Sequence, residues 1–137
     1  MKKYKGWILM LMISLCLFGA VGCNGENKTP ETPQKAEYEQ INAQQAKEIM
    51  EKETGYIIID ARTQEEFDDG HIEGAVLIPE DEIMQRAEKE LPQKDQLILV
   101  YCRSGRRSKI ASQALVDLGY TNVKEFGGII DWPYEIV

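Results

Sequence analysis

The chain has 137 residues, a length typical of one domain, and its 43% hydrophobic and 28% charged residues describe a globular chain rather than a disordered or fibrous one. The formal charge is −7, from 16 Lys and Arg against 23 Asp and Glu; loss of Lys2, Lys3 and Lys5 with an N-terminal segment leaves 13 against 23, or −10. So acidic a balance excludes general binding to nucleic-acid phosphates.

Lys2, Lys3 and Lys5 form a positive start ahead of an uncharged apolar run over residues 7–20, and the small residues Ala20 and Gly22 precede Cys23. The run of 14 residues falls short of the roughly 20 that a membrane-spanning helix needs, and the order of features is that of an export signal. Ala20-Val21-Gly22-Cys23 resembles a bacterial lipobox, with Ala20 where leucine is usual. The resemblance implies a signal peptide over residues 1–22, lipid on Cys23, and a protein exported and anchored to the outer face of a bacterial membrane. Two or more acyl chains hold such an anchor stably, whereas one does not. Residues 23–37 then read as the lipidated N-terminus and a flexible linker, since they lack apolar periodicity and contain Pro30 and Pro33. With Cys16 removed and Cys23 lipidated, Cys102 is the one free thiol expected in the mature chain, so no intramolecular disulfide is available to it.

From residue 38 strand and helix patterns alternate. A short strand over 38–41 leads to Asn42 as an N-cap and a helix to about Lys52, with Ala46, Ile49 and Met50 on one side. Residues 56–59 form a continuous apolar run, as in a strand buried on both faces of a parallel sheet. Thr63-Gln64-Glu65-Glu66 fits a capping box and starts a short helix that Gly70 ends. A strand over 76–78 follows, then a helix marked by Ile83, Met84, Ala87 and Leu91 and stopped by Pro92. The most apolar strand covers 97–101. Beyond it Ile110, Ala111, Ala114, Leu115 and Leu118 mark a helix closed by Gly119, and residues 123–126 give the last strand before a short terminal helix or turn. This order predicts an α/β domain over residues 38–137, with a mainly parallel sheet of about five strands and helices on both faces.

Chemistry in such sheets lies outside the carboxyl ends of the strands. Cys102 follows the most apolar strand and opens the polar segment Arg103-Ser104-Gly105-Arg106-Arg107-Ser108 before a helix. Backbone N–H groups of such a loop can turn inward as an anion-binding nest, and the helix dipole adds to its positive field. With Arg103, Arg106, Arg107 and Lys109 close by, the same field lowers a cysteine pKa, so Cys102 is expected to be a reactive nucleophile that receives an anion. The bland alternative makes Cys102 a small core residue and the arginines a solvated face.

Asp60-Ala61-Arg62, Gly70-His71-Ile72-Glu73-Gly74-Ala75, Tyr101-Cys102-Arg103-Ser104-Gly105-Arg106-Arg107-Ser108 and Phe126-Gly127-Gly128-Ile129-Ile130-Asp131-Trp132 resemble, in order and spacing, four successive signatures of the rhodanese family. The resemblance implies a single rhodanese domain that takes up sulfane sulfur as a persulfide on Cys102 and passes it to a nucleophile. On this reading backbone groups of Arg103, Ser104, Gly105, Arg106, Arg107 and Ser108 bind the sulfur substrate. Asp60 and Arg62 form an ion pair or brace the loop. His71 is expected to make structural hydrogen bonds in its turn, Gly127 and Gly128 to allow a tight turn and close packing, and Trp132 to serve as a core or pocket-wall residue.

No metal or organic cofactor is called for, and the partners expected are a small anionic sulfur donor (thiosulfate or a persulfide), a thiol or cyanide acceptor and, through lipid, a membrane, with the protein acting as a monomer. Two other classes compete. A cysteine phosphatase or arsenate reductase also uses a thiolate in an anion loop, but that loop resembles Cys, five residues, then Arg, whereas Arg107 follows Cys102 after four. A non-catalytic module would carry sulfur or dock a partner.

Overall fold

The computed structural model describes residues 36–137; the export signal and Cys23 lie outside the described residues. The elements are β1 (Glu39–Gln40), α1 (Ala43–Lys52), β2 (Ile57–Asp60), α2 (Gln64–Asp68), β3 (Ala75–Leu77), α3 (Ile83–Glu90), β4 (Ile98–Cys102), α4 (Arg106–Asp117) and β5 (Val123–Gly128). Single 3₁₀ turns, Glu80–Glu82 and Ile129–Asp131, precede α3 and follow β5.

All five strands are parallel, in the order β1-β5-β4-β2-β3. The interior strand β4 is buried along its whole length, which is why its sequence is continuously apolar instead of alternating. Its side chains divide between two cores. Ile98, Val100 and Cys102 face the layer that contains Ala87, Ala111 and Leu115 of α3 and α4, while Leu99 and Tyr101 face the layer of Ala46, Ile72 and Phe126. Helices therefore cover both faces. Each fully buried aliphatic side chain contributes about 1.5–3 kcal/mol, so the five residues of β4 form the most strongly anchored segment of the sheet.

Local signals set the helix ends. Asn42 and Gln45 form a reciprocal capping box at α1, Thr63 and Glu66 another at α2. At the end of α4 the N–H groups of Gly119 and Tyr120 donate to Val116 and Leu115, the Schellman pattern.

The structure differs from the sequence expectation at several boundaries. Strand β2 runs one residue further, to Asp60; β3 starts one residue earlier; and β5 continues to Gly128. Cys102 is the last residue of β4 rather than the first beyond it. Met84 and Ile110, expected on core faces, are 57% and 45% exposed. For Ile110 the reason is that the buried face of α4 is Ser108, Ala111, Ser112, Leu115 and Val116, so two inward positions are serines that hydrophobic periodicity does not register.

Candidate active site

Parallel pairing brings the carboxyl ends of β2, β4 and β5 together, with Asp60 beside Tyr101 and Cys102 beside Gly128. At the end of β2, Arg62 grips Asp60 through Nε at 2.9 Å and Nη2 at 2.7 Å, and Nη2 also donates to the Gly70 carbonyl at 2.8 Å. The Tyr101 hydroxyl donates to Asp60 Oδ2 at 2.6 Å and accepts from the Ile72 N–H at 3.2 Å. Burial works against the Arg62 charge, yet Asp60 holds the guanidinium firmly protonated. Burial and Asp60 likewise push the Tyr101 hydroxyl well above its ordinary value. Asp60 and Arg62 thus form a closed, buried ion pair that ties the 70–72 turn to the sheet.

The end of β4 is built differently. Gly105 takes φ +93° at the N-terminus of α4, a left-handed conformation that side chains beyond glycine adopt with strain, and this turns the loop back over Cys102. The Gly105 N–H donates to Cys102 Sγ at 3.1 Å. Burial pushes the thiol up, but hydrogen bonds from the Ser108 hydroxyl and from the N–H groups of Ser108, Ser104 and Gly105 bring it, on balance, below its ordinary value. Cys102 is only 1% exposed, and Ser108 is fully buried beside it. The thiol therefore has the burial of the bland reading together with a donor ring that an inert core cysteine does not require.

Gly128 closes the floor under this loop. A Cβ there would lie 2.2 Å from the Arg103 carbonyl oxygen and 2.6 Å from Ser104 Cα, so only a hydrogen fits. The two arms are joined again where the Ile130 N–H donates to the Arg103 carbonyl at 3.3 Å.

The arginines of the loop separate into two kinds. Arg103 and Arg106 are exposed. Arg107 is half-buried and makes a two-pronged pair with Glu66, Nη1 to Oε2 and Nη2 to Oε1, each at 2.7 Å. Among the residues expected to gather substrate, Arg107 is accordingly turned away to α2; its fork is occupied because the capping-box glutamate faces it across 41 residues of sequence. His71 is absorbed in its turn: Nδ1 donates to the Phe67 carbonyl at 3.0 Å and the ring stacks on Phe67 at 3.7 Å. Trp132 packs against Phe126 and Tyr134.

Two acidic neighbours of the loop carry weaker signals in the sequence. In the sequence Glu66 is a capping-box residue, and its pairing with Arg107 is set by the fold. For Glu125 the signal is an acidic residue between Val123 and Phe126 at an inward strand position; it is buried, and its Oε1 accepts from Ser108 Oγ at 2.6 Å and from the Gly127 N–H at 2.8 Å.

A cysteine at a strand end, ringed by N–H groups at the start of a helix, can hold an anionic sulfur, and comparison with known proteins places this arrangement among relatives. The chain is 38% identical over 73 residues to thiosulfate sulfurtransferase PspE of Escherichia coli K12, covering 53% of this chain and 70% of that one. It is 33% identical over 94 residues to the putative sulfur carrier protein YrkF of Bacillus subtilis, covering 68% of this chain and 50% of that one. The solved structure of a rhodanese with anions from E. coli superposes with a TM-score of 0.57 at 35% identity, over 60% of this chain and 96% of that one. Residues 42–133 match the rhodanese-like domain, and the chain belongs to that family.

Proposed function

We propose that the domain is a sulfurtransferase that moves sulfane sulfur through a persulfide on Cys102. The observation that carries this reading is the convergence of Ser104, Gly105 and Ser108 donors on a sulfur whose ionisation is eased despite burial. The Cys102 thiolate attacks the outer sulfur of thiosulfate or of a persulfide; a new S–S bond forms while the donor's S–S bond breaks, its electron pair leaving on sulfite or a thiolate. A thiol or cyanide acceptor then attacks that outer sulfur, and the pair returns to Cys102. A terminal persulfide sulfur is one atom with a spread charge, which a tight ring of backbone N–H groups suits. A tetrahedral oxyanion instead calls for an arginine fork on two of its oxygens, and the fork of Arg107 is already engaged by Glu66. This favours sulfur over phosphate or arsenate.

Incubation with thiosulfate is expected to add the mass of one sulfur atom to the protein, lost on treatment with cyanide or excess thiol and absent in Cys102→Ser. Aryl phosphate or arsenate turnover without sulfur loading would reverse the assignment. The relation to a protein named as a putative sulfur carrier supports a second reading, in which the domain carries sulfur without sustained turnover; stoichiometric loading with a single round of release would select it.

We place the mature protein, through the lipobox-like segment ending at Cys23, on the outer face of a bacterial membrane, held by lipid. Cys23→Ser is expected to leave unprocessed or released protein; unchanged size and membrane fractionation would refute the anchor.

A further inference from the structure

Strand β5 is irregular where it passes the cysteine. From Val100 to Cys102 β4 advances two residues, while their partners Glu125 and Gly128 on β5 stand three apart. The extra residue makes a bulge, and Gly127 takes φ +92° within it, a left-handed conformation suited to glycine. Glu125 stands at the entry to this bulge, 2% exposed and without an ion pair among the described residues. One of its carboxyl oxygens, Oε1, accepts from two elements at once: from the Gly127 N–H of the bulge at 2.8 Å, and from the Ser108 hydroxyl in the first turn of α4 at 2.6 Å. Gly105 lies between them. A Cβ on it would stand 3.6 Å from Gly127 Cα and 3.9 Å from the same Oε1, and its own N–H reaches Cys102 Sγ at 3.1 Å.

We propose that Glu125 is a positioning residue of the cysteine loop: its Oε1 ties the β5 bulge to the first turn of α4 and so holds the Gly105 N–H on Cys102 Sγ. A carboxyl group is costly to bury without a cation, and an apolar side chain would fill the same space at less cost. What an apolar side chain lacks is an acceptor for two donors on separate elements. The bulge also meets the loop where Gly128 passes under Arg103 and Ser104 and where the Ile130 N–H donates to the Arg103 carbonyl, but those contacts hold the Arg103 side. On the Gly105 side the tie is Glu125, with the Gly127 carbonyl at 3.4 Å as a longer second link from the Ser108 hydroxyl. Arg107, which acts on Cys102 through its charge, is held by Glu66 of α2 and bonds to nothing on β5.

The inference rests on Cys102 being the sulfur-carrying nucleophile, and its test reads the thiol without using sulfur, so the two can fail separately. The ultraviolet thiolate absorbance of the full chain is titrated, with the signal of Cys102→Ser subtracted. Glu125→Ala is expected to raise the midpoint by about one pH unit, a tenfold loss of thiolate at a given pH below it. Loss of a carboxylate charge and entry of water into the vacated space both favour the thiolate, so a rise reports the displaced Gly105 donor. Glu125→Gln keeps a side-chain oxygen for the same two donors and is expected to leave the midpoint at or below the wild-type value. Glu125→Asp draws the carboxyl group back by one methylene and is expected to raise it. A midpoint unmoved in a destabilised but folded Glu125→Ala would make the tie structural alone, and a lowered one would reduce Glu125 to a nearby charge; either overturns the proposal. So would a rise in Glu125→Gln as large as that in Glu125→Ala. If Glu125→Ala does not fold, the other two variants decide: a rise in Glu125→Asp with none in Glu125→Gln supports the proposal, and any other pattern overturns it.

Discussion

Two strand ends lie side by side in this domain and treat their polar groups in opposite ways. At the end of β2, Asp60 is saturated by Arg62 and Tyr101, so every charge has a partner and the network is closed. At the end of β4, donors converge on Cys102, while Arg107 of its loop is tied to Glu66. The contrast teaches that neighbouring strand ends of one sheet can close one polar network on itself and leave the donors of the other aimed at a single sulfur atom, which is the feature the proposed sulfur transfer uses.

The largest expected effect comes from opening the closed network. Arg62→Met leaves Asp60 as a buried, uncompensated charge and is expected to cost about 3–5 kcal/mol in chemical denaturation; a loss below 1 kcal/mol would show that the brace does not anchor the sheet end. Next is the floor of the cysteine loop. Gly128→Ala forces a methyl group into the Arg103–Ser104 backbone and is expected to destabilise by about 1–3 kcal/mol. Sulfur loading should fall far more than stability, because the loop that aims the donors must move. Equal loading by the folded variant would show that donor placement is not critical.

A smaller effect separates the two kinds of arginine. The hydrogen-bonded pair with Arg107 draws Glu66 from its ordinary 4.5 down to about 2. The folded value lies below the unfolded one, so this stabilisation is present in full above about pH 4.5 and is lost as pH falls toward about 2. For a partly exposed pair it is worth about 1–2 kcal/mol after screening. Wild type should exceed Glu66→Gln by that margin at pH 6, and the gap should close near pH 2–3, as denaturation curves at both pH values will show. A gap that persists unchanged in acid would rule out the ion pair as its source.

The smallest effect is expected at the rim. Arg106→Gln should raise the apparent thiosulfate KM about two- to fivefold with little change in stability, and the same rise should follow added salt in the wild type, because exposed charges are screened over about 8–10 Å. A salt-independent KM, unchanged in the variant, would make Arg106 a bystander. Changing Arg106 and Arg107 together cannot isolate substrate capture, since the second substitution also removes the Glu66 pair.

Much of the fold was legible in the sequence for local reasons. Asn42 and Thr63 cap helices through side chains three residues away, and the uninterrupted apolar stretch ending at Tyr101 marks a strand buried on both faces. The four motifs resembling rhodanese signatures led to Cys102 and its loop. Less legible was the register of α4, where buried Ser108 and Ser112 interrupt the apolar pattern, and Ile110 turns outward instead.

Chain order and residue type by themselves determined the alternation of strands and helices, the parallel sheet, the glycine at the start of α4 and the cysteine that precedes it, because propensity, capping and periodicity act within a few residues. Only the tertiary structure decided which charges meet: Arg107 with Glu66 and Tyr101 with Asp60, each 41 residues apart, and Ser108 with Glu125, 17 apart. Those pairings depend on which strands become neighbours and in what register, and a hydrogen bond sets its partner by a fit of tenths of an ångström that no one-dimensional spacing encodes.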